Sequence, residues 1–183
     1  MKTLIEKLSS FKNSTPKSIR LFEELCLPVS FKKNEVLPTF PNHIDKLYYI
    51  KTGIVQGIFI NELEEMTAYL TTDGFVIPYY VFSKQVSPIK YIRFLADTDG
   101  WVINLAQACL NDPPLSLILL EIYEECISAG YEREKIIRIK NANDRYIYFL
   151  KDHKHLINKI SNKIIASFLN IHPKHLSEIK KRN

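Results

Sequence analysis

The chain has 183 residues, 46% of them apolar and 25% charged, with a net charge of +5. That length holds one ordinary domain and a small second one, and the composition is that of a folded globular protein, which excludes a wholly disordered chain. No apolar run approaches the ~18 residues of a membrane span. Met1 to Phe11 lacks a signal peptide's apolar core, so no membrane partner and a cytoplasmic location are expected.

In chain order, Leu4, Ile5, Leu8 and Phe11 recur on one helical face. Ser14 or Thr15 with Pro16 opens a second helix through Leu21, Phe22 and Leu25, which Pro28 is expected to close. From Phe31 to about Leu105 short β-branched and aromatic runs follow, bounded by turn residues: Glu35–Leu37, Lys46–Lys51, Gly53–Ile60, Met66–Thr71, Tyr91–Ala96 and Trp101–Leu105. Their spacing predicts an antiparallel sandwich or barrel. Both faces of Gly53–Ile60 are mostly apolar, as in a strand covered on two sides.

Pro113-Pro114 marks a change to one long helix, from Leu115 to about Lys140. Leu119, Ile122, Cys126, Ala129, Arg133 and Ile136 lie at alternating three- and four-residue steps, a heptad-like seam expected to pair with a second copy of the chain. Packing on the chain's own β-domain is the competing use of such a stripe. Asn141 to Leu150 reads as a short helix with Tyr146, Ile147, Phe149 and Leu150 inward.

The last segment carries the clearest pattern. Ser161 suits a helix N-cap, and Ile164, Ile165, Phe168 and Leu169 form the buried face that follows. Ala166 is small where a second helix would cross, Asn170 tolerates the left-handed conformation of a tight turn, and Pro173 suits the first position of a new helix. Leu176 and Ile179 would dock that second helix. This is the layout of a helix-turn-helix unit. It leaves Lys174, His175, Ser177, Glu178, Lys181 and Arg182 for base edges and phosphates of double-stranded DNA, the expected partner. Charge agrees: residues 131–183 carry 13 Lys and Arg against 5 Asp and Glu, a net of +8, whereas residues 1–130 carry 12 against 15, a net of −3.

With these residues in place the chain resembles the Crp/Fnr family of transcription regulators, from about residue 20 to the end. The resemblance rests on Phe31-Lys32-Lys33-Asn34-Glu35, Leu47-Tyr48-Tyr49-Ile50-Lys51-Thr52-Gly53, Asp73-Gly74-Phe75, Asn143-Asp144-Arg145-Tyr146 and Ile165-Ala166-Ser167-Phe168-Leu169-Asn170-Ile171 with Leu176-Ser177. It implies an α+β homodimer: an N-terminal antiparallel β-roll, or jelly roll, of the cyclic-nucleotide-binding type (residues 1–112), a dimerisation helix (113–140) and an all-α helix-turn-helix domain (141–183).

Departures narrow that expectation. Cyclic-nucleotide-binding members carry a Gly-Glu pair for the ribose and an Arg-Ser pair for the phosphate. Here Phe75-Val76-Ile77-Pro78-Tyr79-Tyr80 and Ser87-Pro88-Ile89-Lys90 stand near those places, so a response to cyclic nucleotides is not expected. Where the family usually sets a guanine-reading Arg this chain has Glu178, and Lys174 replaces the usual Glu one turn earlier. The sequence stops four residues after Ile179, short of wing strands, so binding should be weaker and more salt-sensitive. No cofactor, catalytic group or metal set is implied. The alternative reading is a small-molecule-binding or protein-interaction regulator with a weak DNA end, whose unknown effector would meet Tyr79, Tyr80, Lys90 and Tyr91; those rings serve equally well as core. Cys26, Cys109 and Cys126 read as free thiols.

Overall fold

Local signals set the N-terminal helices. In the computed structural model, which describes residues 1–39, 46–62, 64–76, 89–105 and 113–182, α1 spans Lys2–Ser9 and α2 spans Pro16–Glu24. Thr15 caps α2 through a reciprocal box: its hydroxyl accepts from the Ser18 N–H at 3.1 Å, and the Ser18 hydroxyl accepts from the Thr15 N–H at 2.9 Å. Pro16 stands at the start of α2, where an N–H would have no partner.

The chain does not wait for Pro28 to leave the helix. Strand β1 (Cys26–Phe31) begins two residues after α2, with Pro28 opposite Trp101. Pro28 is tolerated because β1 is an edge strand. Among the described residues seven further strands follow: β2 (Val36–Pro38), β3 (Lys46–Thr52), β4 (Val55–Asn61), β5 (Glu64–Thr71), β6 (Gly74–Val76), β7 (Tyr91–Phe94) and β8 (Thr98–Asn104). They form two antiparallel sheets, ordered β1-β8-β3-β6 and β2-β7-β4-β5. The expected antiparallel roll is therefore present. The short β6 was hidden because Asp73-Gly74 reads as a turn; Gly74, at φ 99, is instead the first strand residue.

Phe31, Tyr48, Ile50, Val55, Val76, Ile92 and Phe94 fill the roll, with the Phe31 and Phe94 rings stacked 3.9 Å apart between centroids. Strand β4 is covered on both sides as its pattern predicts. Val55 enters the roll, Ile54 just before the strand joins a second cluster outside, and a register shift between Gly57 and Ile58 keeps Gln56, Gly57 and Ile58 all buried.

The long helix α3 (Pro113–Arg138) runs unbroken through Gly130, where an added Cβ would meet nothing within 4 Å. The seam residues expected to meet a second copy pack largely within the chain itself, the competing use of such a stripe. Leu119 and Ile122 are buried with Leu4, Leu8, Phe22, Trp101 and Leu105 in the chain's own core. Ile136 is buried in the C-terminal cluster, the Cys126 thiol lies 3.6 Å from the Phe75 carbonyl, and Arg133 is folded over Phe168. Of the six predicted seam residues Ala129 alone is fully exposed. The stripe docks α3 onto its own chain: Leu119, Ile122 and Ile136 are buried there, and Cys126 and Arg133 are half-buried. The buried Cys26 thiol and the half-buried Cys126 thiol are both pushed up to about 12, chiefly by desolvation, and are poor nucleophiles. Cys109 lies outside the described residues.

After α3 come α4 (Ala142–His153), a 3-10 turn (Lys154–Leu156), α5 (Asn162–Leu169) and α6 (Pro173–Arg182). Within α4, Tyr146 and Phe149 are buried but Ile147 is exposed, contrary to the inward position expected for it. The terminal helices share one apolar cluster with Ile54, Leu70 and Leu95 of the roll, joined by Tyr146, Phe149, Ile165, Phe168, Leu169, Leu176 and Ile179. A polar contact crosses the same junction: the Thr67 N–H donates to the Ser167 hydroxyl at 2.8 Å, while within the roll the buried Gln56 amide donates to the Thr67 hydroxyl at 2.8 Å.

Candidate nucleic-acid interface

The terminal helix pair is built by local chemistry. Ser161 caps α5 by accepting from the Ile164 N–H at 3.3 Å. Ala166 is fully buried where α6 crosses, so a larger residue there would push the helices apart. Asn170 closes α5 in the left-handed conformation, at φ 52 and ψ 52. Its N–H and that of Ile171 return to the Ser167 and Ala166 carbonyls, a Schellman ending. Pro173 opens α6, and Leu176 and Ile179 seal it against α4 and α5.

Burial of that face turns the other one outward. Lys174, His175, Glu178, Lys181 and Arg182 are exposed, and Ser177 is at the margin. The Ser177 hydroxyl donates to the Pro173 carbonyl at 3.0 Å, which leaves its oxygen to act as an acceptor. Two details were not legible beforehand. The Lys174 N–H donates to His172 Nδ1 at 3.3 Å, making His172 the cap of α6. Lys180 reaches back to the Asn162 side chain at 2.8 Å, which ties the end of α6 to the start of α5.

The turn between the helices is held from outside as well. Arg145, on α4, donates to the Ile139 carbonyl at 2.6 Å, to Leu169 at 3.2 Å and to Asn170 at 2.9 Å. Arg133, on α3, donates to the Phe168 carbonyl at 3.2 Å.

The predicted effector residues fare differently. Tyr79 and Tyr80 lie outside the described residues. Lys90 is exposed, and its backbone is tied into the sheet by the Lys90 N–H to the Ile58 carbonyl at 2.8 Å. Tyr91 belongs to the outer face of its sheet, because strand alternation sends Ile92 and Phe94 into the roll. There its hydroxyl donates to Glu65, which also pairs with Arg93 at 3.0 Å; these bonds hold the Glu65 carboxyl below its usual range. Lys90 and Tyr91 thus do not line the roll's interior.

His153 stands at the junction of roll and helices, beside a cleft of about 210 Å³ lined also by Thr71, Asp73, Asp152 and His155. Its ring lies 4.9 Å from that of Phe149 and edge-on to Phe168 at 5.8 Å. Burial lowers its pKa below the ordinary value, with His155 adding to the shift and Asp152 opposing it. The unfolded chain therefore takes up this proton first, near pH ~6.5, and the fold loses stability as pH falls from there toward the lower folded value. The melting temperature should decline in that window, and His153→Phe should flatten the decline; an unchanged slope contradicts the assignment.

No protein-family model and no curated protein matches the chain. Solved structures do match. A protein described as a transcriptional regulator of the crp/fnr family, from Eubacterium rectale, superposes with a TM-score of 0.71 at 17% identity, over 93% of this chain and 83% of that one. FixK2 from Bradyrhizobium japonicum gives 0.70 at 14% identity, over 86% and 83%. CLP, a c-di-GMP responsive global regulator from Xanthomonas campestris, gives 0.67 at 15% identity, over 92% and 91%. The chain is Crp/Fnr-like in fold, an α+β roll followed by a helix-turn-helix unit. Among the described residues no helix is long and apolar enough to cross a membrane.

Proposed function

We propose that this chain is a cytoplasmic, dimeric, DNA-binding transcription regulator of Crp/Fnr type that does not respond to cyclic nucleotides. The observation that carries the reading is the outward face of α6, where Lys174, His175, Lys181 and Arg182 stand exposed on a helix whose opposite side is fully buried. A helix presented in this way enters a major groove with its charged residues on bases and phosphates. Residues 1–112 serve as the sensor-like domain, residues 113–140 as the dimer helix and residues 141–183 as the reader. The sequence near Ser87-Pro88-Ile89-Lys90 lacks an Arg-Ser pair for a cyclic phosphate, which supports independence from that ligand.

For the dimer, support comes from the α3 face opposite the buried seam. Leu117 (44% exposed), Leu120 (59%), Ile127 (53%) and Tyr131 (64%) follow one another at heptad-compatible steps along one side of that helix. A second copy presenting the same stripe would cover all four. Ile127→Glu with Tyr131→Glu is expected to convert a dimer to monomer in sedimentation with the melt little changed, because neither side chain is buried in the protomer. A dimer that survives both changes contradicts this face.

Selection of binding sites from random duplexes by the purified protein tests the function. A recovered two-fold symmetric site, bound in a salt-dependent way, supports it. Absence of salt-dependent binding to any duplex overturns it.

A further inference from the structure

The last turn of α5 has more carbonyls than its own backbone can satisfy, as any helix end does. Ala166 and Ser167 are served by the N–H groups of Ile171 and Asn170. The next three carbonyls in sequence are taken by two arginines from different helices: Phe168 by Arg133 of α3, and Leu169 and Asn170 by Arg145 of α4. Arg145 also holds the Ile139 carbonyl, just past the end of α3. Its guanidinium therefore joins the exit of the long helix to the turn that launches the reading helix, since Pro173 follows Asn170 by only three residues. The Arg133 guanidinium is packed 5.6 Å from the centre of the Phe168 ring, and burial lowers its pKa, with the Glu134 carboxylate opposing.

We propose that Arg133 and Arg145 are positioning residues that lock the direction of α6 to α3, so that a dimer presents its two reading helices at one fixed separation. This rests on the DNA-binding reading above. The physical argument is one of geometry. Two arginine forks on three successive carbonyls fix the turn in translation and rotation, which a lysine's single ammonium cannot reproduce. Half-sites on duplex DNA lie one helical turn apart, about 34–36 Å, so a reader free to swivel would lose both affinity and its preference for spacing. On the far side of α5, the Thr67–Ser167 bond supports the same placement from the roll.

The test uses the full-length dimer and the selected DNA site, with variants of that site whose half-sites are moved apart or together by one and two base pairs. Arg145→Lys and Arg133→Met should leave the dimer intact while lowering affinity for the best spacing roughly tenfold. The gap between best and worst spacing should shrink. If Arg145→Lys loses its cooperative melt, Arg133→Lys carries the test, since it keeps the charge and the stem over Phe168. Unchanged affinity and unchanged spacing preference would overturn the proposal. So would an equal loss at every spacing, the mark of simple destabilisation. A wild-type dimer without salt-dependent DNA binding would instead remove the functional reading, and the positioning role with it.

Discussion

Reversing two charges on α6, Lys174→Glu with Lys181→Glu, should weaken binding to duplex DNA about 100-fold at ~0.15 M salt. Each phosphate neutralised by a lysine releases counterions and contributes about fivefold at that ionic strength, and the new carboxylates add repulsion. The slope of log affinity against log salt should fall by about two. Both side chains are exposed, so thermal stability should stay within about 0.5 kcal/mol of the parent. Gel-shift or fluorescence-anisotropy titrations at several salt concentrations give affinity and slope together. Affinity and slope both unchanged would mean that α6 does not face DNA.

The largest effect on stability is expected from Phe149→Ala. Phe149 is fully buried, with its ring 5.6 Å from Phe168 and 4.9 Å from His153, in the cluster that joins the roll to the terminal helices. Truncating such a ring costs about 3–5 kcal/mol, because the lost transfer energy is compounded by the cavity left behind. That is a large part of the ~5–15 kcal/mol that keeps a domain folded. At about 2–4 °C per kcal/mol for a chain of this size, the midpoint should drop by roughly 10 °C. The change should reach the roll too, since Ile54, Leu70 and Leu95 share the cluster. A near-ultraviolet melt following Trp101, in the roll, tests this; a shift below about 2 °C would show that the two parts are not joined by this core.

The helix-turn-helix was legible because each of its signals is local. A cap at Ser161, a small residue at Ala166, a left-handed turn at Asn170 and a proline at Pro173 each act within a few residues of where they are written. The seam of α3 was legible only as a face. Period says which side chains point together but not what they point at, and Leu119 and Ile122 found the chain's own N-terminal helices first. Pro28 misled because an edge strand tolerates what a central strand does not. For Tyr91 a signal was available: Arg93 on the same side of the strand marks the wet face. Arg145 could be read as a motif residue, yet its partners Leu169 and Asn170 lie 24 and 25 positions away, beyond the reach of spacing.

The contact between Thr67 and Ser167 has a consequence for solubility. β5 ends its sheet, and the outer edge of such a strand is a template on which another chain can add its own. Two other edge strands carry a proline, Pro28 in β1 and Pro38 in β2. β5 has no proline and relies on α5, whose Ser167 hydroxyl occupies the outward Thr67 N–H. A roll cut free of its terminal helices would bare that edge together with Leu70, and it should aggregate at concentrations where the full chain stays in solution.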